Sequence, residues 1–391
     1  MRDAMLKKLN LTKKQRILLI VCLSMVLLAA VCFGARAHLS HMLVSQREAE
    51  RWQGDGETEF AQISCFLPAD ELIGLKEVNG FRVDAMKKVQ DASMDVNGEQ
   101  QLMLDAWSTS AKVTVMSDRA KGDATAIAIG GNYFDFHPIR LISGDYIRQS
   151  DLMEDRVLVD EELAWLLFGS TDLEGMEMKI NGMHFHVAGV IERETDFASK
   201  KAYSAGMGLF MRFDALLKLD EKAAVNCYEY VLVNPVKDFA INAAREKFPI
   251  GRGEILCNTT RFEYGRLMDF VLKFGSRSIQ TTGVIYPYWE NAARVLEDWS
   301  CLCCLFGTLL LIFPGVMAAI LLARSFRKGK KRLEEDVLPN AKEKAEEAVR
   351  VRQRRRWEKK HPEEAAMEIR IPEETRTEDT DADTDAKNGA E

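Results

Sequence analysis

Arg156–Ile191 reads RVLVDEELAWLLFGSTDLEGMEMKINGMHFHVAGVI, and it packs a strand, a helix and a hairpin into one short stretch. Arg156–Asp160 is a β-branched, apolar run suited to a strand. Glu161–Phe168 places Leu163, Ala164 and Leu167 three to four residues apart, on one helix face. Gly169 supplies the helix stop. Met178–Ile191 then predicts two short strands joined at Asn181-Gly182, a dipeptide that accepts the positive φ angles of a two-residue turn. Such a turn fixes the register of its strands. Elements so closely interleaved predict a mixed α+β domain.

The same alternation extends in both directions. Toward the N-terminus, Arg36–Gln53 predicts a helical stalk, Phe60–Leu67 a strand, and Pro68–Val89 a helix broken at Asn79-Gly80. Gln101–Trp107 and Lys112–Met116 alternate as two strands, and Thr125–Ile129 is a short apolar run closed by Gly130-Gly131. Toward the C-terminus come Leu209–Phe213, Ala215–Leu219, Tyr228–Asn234 and Val236–Phe248. A helix near Thr260–Phe274 follows, and another starts near Tyr288.

Two uncharged runs bracket this segment. Ile17–Ala35 has 19 residues and Cys301–Ala323 has 23. At 1.5 Å per helical residue they reach about 28 and 34 Å, which matches a hydrocarbon core. Arg2, Lys7, Lys8, Lys13, Lys14 and Arg16 precede the first; Arg324, Arg327, Lys328, Lys330, Lys331 and Arg332 follow the second. The positive-inside rule then predicts a two-pass cell-membrane protein with both termini cytoplasmic. Arg36–Asp298, with 29 basic and 41 acidic side chains, faces outward. The expected organisation is 1–16 cytoplasmic, 17–35 first span, 36–298 outer α+β domain held between the two helices, 301–323 second span, and 324–391 charged tail. Ala35-Arg36-Ala37 also has the small-x-small form of a signal-cleavage site, but the first run exceeds the usual signal length and favours an uncleaved anchor.

The remaining composition narrows the function. Among 391 residues, 53 Lys+Arg against 60 Asp+Glu give a net charge of −7, and 47% are hydrophobic. These values exclude a fibrous or wholly disordered chain, and the acidic balance argues against nucleic acid as a partner. Only Cys65, Cys227 and Cys257 lie in the outer segment, so at most one disulfide forms there. The tail is helix-compatible from Arg332 to Lys360, with Arg350, Arg352, Arg354, Arg355 and Arg356 positioned to meet membrane lipids. Beyond Pro362 it is acidic and reads as disordered. Asp379, Asp381, Asp383 and Asp385 lack the glycine and twelfth ligand of a calcium loop.

Between Thr125 and Arg193 the chain carries a connected set of residues. They are Gly130-Gly131-Asn132-Tyr133-Phe134, Leu141-Ile142-Ser143-Gly144, Asp151, Val157-Leu158-Val159-Asp160, Leu163-Ala164 and Leu167-Phe168-Gly169. Gly175, Ile180-Asn181-Gly182 and Phe185-His186-Val187-Ala188-Gly189-Val190 complete it. This series resembles the periplasmic core domain of MacB-type transporters, shared across FtsX-like permeases. The resemblance implies a structural motif made of Gly130, Gly131, Phe134, Gly144, Asp160, Ala164, Phe168, Gly169, Gly175, Gly182, Val187, Gly189 and Val190. It also implies an ABC transporter permease-like role, in which a separate ATPase drives motion that reaches the outer domain. Members of the family use such motion to expel substrates, extract lipoproteins or activate cell-wall hydrolases. They carry four spans per subunit, whereas two are present in this sequence. The implied partners are therefore a separate ABC ATPase, a four-span permease, or further copies of the chain.

No enzymatic chemistry is expected. The chain has no G-x-x-x-x-G-K-[ST] loop for ATP and no G-x-S-x-G nucleophile setting. His184 and His186 share a strand face, but a zinc site needs three or four ligands and no other His is close in sequence. Asp155, Asp160, Glu161 and Glu162 suit a helix N-terminus better than a carboxylate pair for hydrolysis. No catalytic residue, cofactor or metal is expected. Trp299 sits at the edge of the second run, as an interfacial anchor does. Trp289 lies about 15 Å higher along a helix and is expected to pack into the outer domain. Pro314-Gly315 predicts a bend in the second run, and Gly315 with Ala319 offers a small-xxx-small face. The alternative to a permease-like subunit is a membrane-anchored sensor or scaffold that keeps the outer domain for binding.

Overall fold

The computed structural model describes residues 12–92, 101–202, 208–273, 284–332 and 338–360. The first apolar run lies in α1 (Lys13–Ser40). Thr12 caps it: its hydroxyl accepts from the Gln15 amide, and the Gln15 side chain accepts from the Thr12 amide. The helix stops at Ser40, so the predicted stalk to Gln53 is not continuous. A 3-10 turn at Val44–Gln46 and α2 (Glu48–Gln53) replace it. The cause is Gln62, whose side chain accepts from the Glu48 amide at 2.9 Å and donates to the Ser45 carbonyl at 2.7 Å. These bonds draw the chain against the sheet.

There follow β1 (Phe60–Phe66), α3 (Leu75–Asp91), β2 (Met103–Met116), β3 (Lys121–Gly131), α4 (Tyr133–Phe136) and β4 (Leu141–Gly144). Next come β5 (Arg156–Asp160), α5 (Glu161–Leu167), β6 (Glu177–Ile180), β7 (Met183–Ile191), α6 (Phe197–Ala202), β8 (Gly208–Arg212) and α7 (Phe213–Leu219). β9 (Cys227–Val233), α8 (Phe239–Lys247), β10 (Glu254–Cys257), α9 (Tyr264–Lys273), α10 (Tyr288–Arg332) and α11 (Leu338–Lys360) complete the order. The predicted hairpin is present, with Asn181 at φ 50° and Gly182 at φ 90°. Two predicted boundaries change. α3 runs through Asn79-Gly80 unbroken, because Val78, Phe81, Ala85 and Val89 form a buried stripe that outweighs local propensity. β2 is one strand rather than two, paired with β3 along eleven positions.

The sheet order is β10-β1-β9-β2-β3-β8-β5-β7-β4, and β6 pairs with both β2 and β7. Strands β2-β3-β8-β5-β7-β6 therefore close a ring, while β9, β1 and β10 extend from β2 as a wing. Directly paired residues share a sheet face. Ala126, Leu209 and Val159 form one such row, and Ala128, Met211, Val157 and Val187 another; all are buried. Small alanines on β3 alternate along this narrow interior. In the wing, every residue of β1 and β9 is buried, so both faces are covered. Phe81 of α3 packs on one face, 5.2 Å from both Tyr230 and Phe248. Tyr286 meets Phe66 at 5.3 Å.

α1 and α10 are the two helices long and apolar enough to cross a membrane among the described residues. Their apolar side chains point outward: Ile17, Ile20, Leu23, Leu27 and Val31 on α1, and Phe306, Leu309 and Ile312 on α10, are exposed. The ring of Phe33 lies so close to Gly307 that an added Cβ would come within 3.0 Å of it. The chain divides into two compact units, Met1–Ile312 and Phe313–Glu391. Within the second, α11 is exposed throughout its described side chains, as its charge pattern predicts. The residues after Pro362 lie outside the described part.

Candidate functional site at the start of the second apolar helix

α10 begins inside the α+β domain, well before its uncharged run. Ala292, Ala293 and Leu296 are fully buried and pack with Leu43 and Ala198. On this same buried side the helix carries Glu290 and Glu297, seven residues apart and each 1% exposed. Two helical turns bring such residues to one face. Two buried carboxylates demand a partner, since an unpaired buried charge is very costly.

Arg261, in the turn before α9, supplies it. Its Nη1 and Nη2 each donate to a Glu290 oxygen at 2.7 Å, a bidentate fork. Nε lies 2.7 Å from Glu297, and Nη1 also donates to the Gln46 side chain at 3.0 Å. Arg294 donates to Glu290 at 2.8 Å and to Glu254 of β10 at 2.7 Å, with its guanidinium 3.6 Å above the Tyr286 ring. Burial pushes the Glu290 carboxyl up, but Arg261 and Arg294 together hold it below the usual carboxylate range. Burial, aided by the bond to Glu254, raises the Tyr286 hydroxyl to about 12.

The residue before Glu290 occupies an aromatic seat. Trp289 is buried, with its ring 4.6 Å from His137 and 5.8 Å from Tyr133. His137 Nε2 lies 2.5 Å from Glu229 of β9. Ser64 of β1 donates to the other Glu229 oxygen at 2.9 Å and accepts from Asn258 at 2.8 Å. A chain of buried polar contacts thus runs from the foot of α10 across the wing. Beside it opens a cavity of about 300 Å³, lined among others by Ser108, Thr125, Arg193, Glu194, Tyr288 and Trp289. Burial raises the Glu194 carboxyl, which accepts from the Tyr288 hydroxyl at 3.0 Å.

The motif residues lie elsewhere, around the ring. Gly130 and Gly131 end β3 against the Trp107 ring, and Phe134 meets Tyr133 edge-on at 5.5 Å. Gly144 and Gly189 pair across β4 and β7, where the backbones approach too closely for a Cβ at either position. Asp160 caps α5 by accepting from the Leu163 amide at 2.8 Å; it also accepts from the Gly208 amide at 2.6 Å and pairs with Arg193. Ala164 is buried on α5, Phe168 and Gly169 end that helix, Gly175 and Gly182 occupy turns, and Val187 and Val190 are buried on β7. His184 and His186 are paired separately, with Glu177 and Asp155. Among the described residues no three His, Cys, Asp or Glu are grouped to hold a metal. Cys65, Cys227 and Cys257 are all buried and free of disulfides. Trp289 packs into the domain as predicted, and Trp299 is half exposed.

Arg261, Gln46 and Glu254 carried no signal in the sequence, because they are far from α10 along the chain. Glu290 and Glu297 did carry one: acids seven residues apart on one helix face, with Arg294 between them at i+4 from Glu290.

A mixed α+β domain joined to two long apolar helices is therefore the class defined by this fold. No protein-family model matches the chain, and no curated protein sequence does. Among solved structures, the periplasmic region of MacB from Actinobacillus actinomycetemcomitans is similar, at 13% identity over 56% of this chain and 94% of that one, with a TM-score of 0.37. The extracellular domain of the noncanonic ABC-type transporter YknZ from Gram-positive bacteria is also similar. There the identity is 16% over 48% of this chain and 92% of that one, with a TM-score of 0.33.

Proposed function

We propose that this protein is a non-enzymatic, permease-like membrane subunit whose outer domain moves with its second apolar helix, driven by a separate ATPase. The observation that carries this reading is the clamp. α10 starts within the domain, fixed by Arg261 and Arg294 to Glu290, Glu297 and Glu254, and runs from there into its uncharged stretch at Cys301. A displacement of the start of this helix would reach the sheet through these ion pairs. The motif between Thr125 and Arg193 supports the same class. The basic flanks of both runs support cytoplasmic termini, the side on which an ATPase works.

Two helices do not enclose a polar path through lipid, so a membrane partner or further copies complete the assembly. Gly315, where an added Cβ meets nothing, and the exposed Ala319 offer a face for it. Crosslinking in native membranes followed by identification of captured proteins tests this. An ATPase or four-span permease is the expected product, and its capture should fall when Gly315 and Ala319 are both replaced by Leu. ATP hydrolysis by the purified chain alone would refute the accessory role. The cavity against Tyr288 and Trp289 favours a second reading, in which a ligand held at the foot of α10 is sensed. Binding of a small molecule by the full chain, without any captured ATPase, would select it.

A further inference from the structure

α9 (Tyr264–Lys273) takes no part in the clamp. Tyr264, Leu267, Met268, Phe270 and Val271 fall within an arc of about 160°, leaving Gly265, Arg266 and Asp269 on the other side. Leu267, at the centre of the arc, is fully buried against Cys301 and Cys304. Its carbonyl accepts from the Cys301 thiol at 3.2 Å. The Tyr264 hydroxyl lies 2.8 Å from Thr308 Oγ1, and Thr308 itself donates to the Cys304 carbonyl. Tyr264 is therefore the donor to Thr308.

These contacts fix the depth of α9. Cys301 is the first residue of the uncharged run, and Thr308 lies about 10 Å further along the helix axis. On the opposite side, Arg36, the first charged residue after the other apolar run, donates to the Phe262 carbonyl at 2.8 Å. α9 starts two residues beyond Phe262. It lies where the first apolar run ends and the second begins, and its first side chain reaches into the second.

We infer that α9 is an interfacial helix, lying in the headgroup–acyl boundary of the outer leaflet. Leu267 docks on α10 with Met268, Phe270 and Val271 packed partly against the same contact, while the exposed Tyr264 and the half-exposed remainder of those three side chains meet lipid. Amphipathic helices of this kind sit about 5–10 Å into the boundary, which is the depth reached by Tyr264. The occupant of the apolar flanks is thus a phospholipid surface. The inference rests on reading Ile17–Ala35 and Cys301–Ala323 as membrane spans, and the test separates the two.

The purified full chain is reconstituted into phosphatidylcholine vesicles doped with a phospholipid carrying a diazirine near its acyl carbonyl. After irradiation, adducts are mapped by peptide mass spectrometry. Adducts on 264–271 are expected at a yield on the order of tenfold above the outer-domain helix α3, alongside adducts on α1 and on 301–312. Labelling of the two apolar runs with α9 at the α3 background would overturn the interfacial helix and leave the spans standing. Labelling of neither run would remove the spans, and the interfacial helix with them.

Discussion

Replacing Arg261 with Met tests the clamp most directly. The side chain is 3% exposed and serves Glu290, Glu297 and Gln46 at once. Methionine fills much of the space but leaves Glu290 with Arg294 alone and Glu297 without the guanidinium. Removing one partner of a buried ion pair costs about 3–5 kcal/mol. With a urea slope of about 3 kcal/mol/M, a 4 kcal/mol loss lowers the midpoint by about 1.3 M. Tryptophan fluorescence of the full chain in detergent follows the transition, since Trp289 is adjacent in the chain to Glu290, which Arg261 grips. The pH dependence gives a second signature. In the native protein the Glu290 carboxyl is depressed by its two arginines. Its contribution is therefore present above the unfolded carboxylate value, about 4.3, and is lost as pH falls through the lower folded value. Without Arg261, burial raises the same carboxyl, and protonation then restores stability. The deficit should be largest near pH 8 and narrow toward pH 5. A loss below about 1 kcal/mol at neutral pH, or a deficit that is flat or widens on acidification, would refute the clamp.

Further outcomes follow from other sites. Gly144→Ala places a Cβ 2.1 Å from the Ala188 carbonyl at φ 76°, whereas Gly182→Ala, at φ 90°, meets open space. Thermal melts should show a loss of about 3 kcal/mol for the first and about 1 kcal/mol for the second, and equal losses would contradict the close β4–β7 approach. Asp160→Ala removes the α5 cap and leaves the Gly208 amide without its acceptor, a loss of about 3 kcal/mol; Asp160→Asn keeps one acceptor and should cost less than half of that. The reverse order in urea titrations would show that the charge outweighs the cap. Protease added to intact cells should cut between Arg36 and Asp298 while tags at both ends stay protected. A mature chain beginning at His38 would instead establish cleavage of the first run.

Legibility from sequence followed the range of the forces. The Asn181-Gly182 hairpin and the Gly169 stop depend on neighbours within a few residues, and both were readable. β2 was not, because the polar Ser108–Ser110 stretch breaks its alternation and only pairing with β3 holds it extended. β10 was hidden because Glu254–Cys257 is four residues long after a glycine turn, and its strand character comes from β1. The Asn79-Gly80 break was a local expectation overridden by Phe81 and its aromatic neighbours. Trp289 could be assigned to the domain by counting helical rise. Arg261 could not, because its guanidinium acquires a role only when two distant segments meet.

The position of β1 also governs how the chain matures. β1 is hydrogen-bonded between β9 and β10, whose residues emerge about 160 or more positions later. At about 5–20 residues per second, the ribosome needs on the order of ten to thirty seconds to deliver them. Throughout that interval the apolar faces of Phe60–Phe66 have no sheet to join. A chain threaded outward after its first anchor would therefore cross unfolded, and the wing would close only when Cys257 had emerged. Any factor that shields nascent segments on the outer side would be needed most for this first strand.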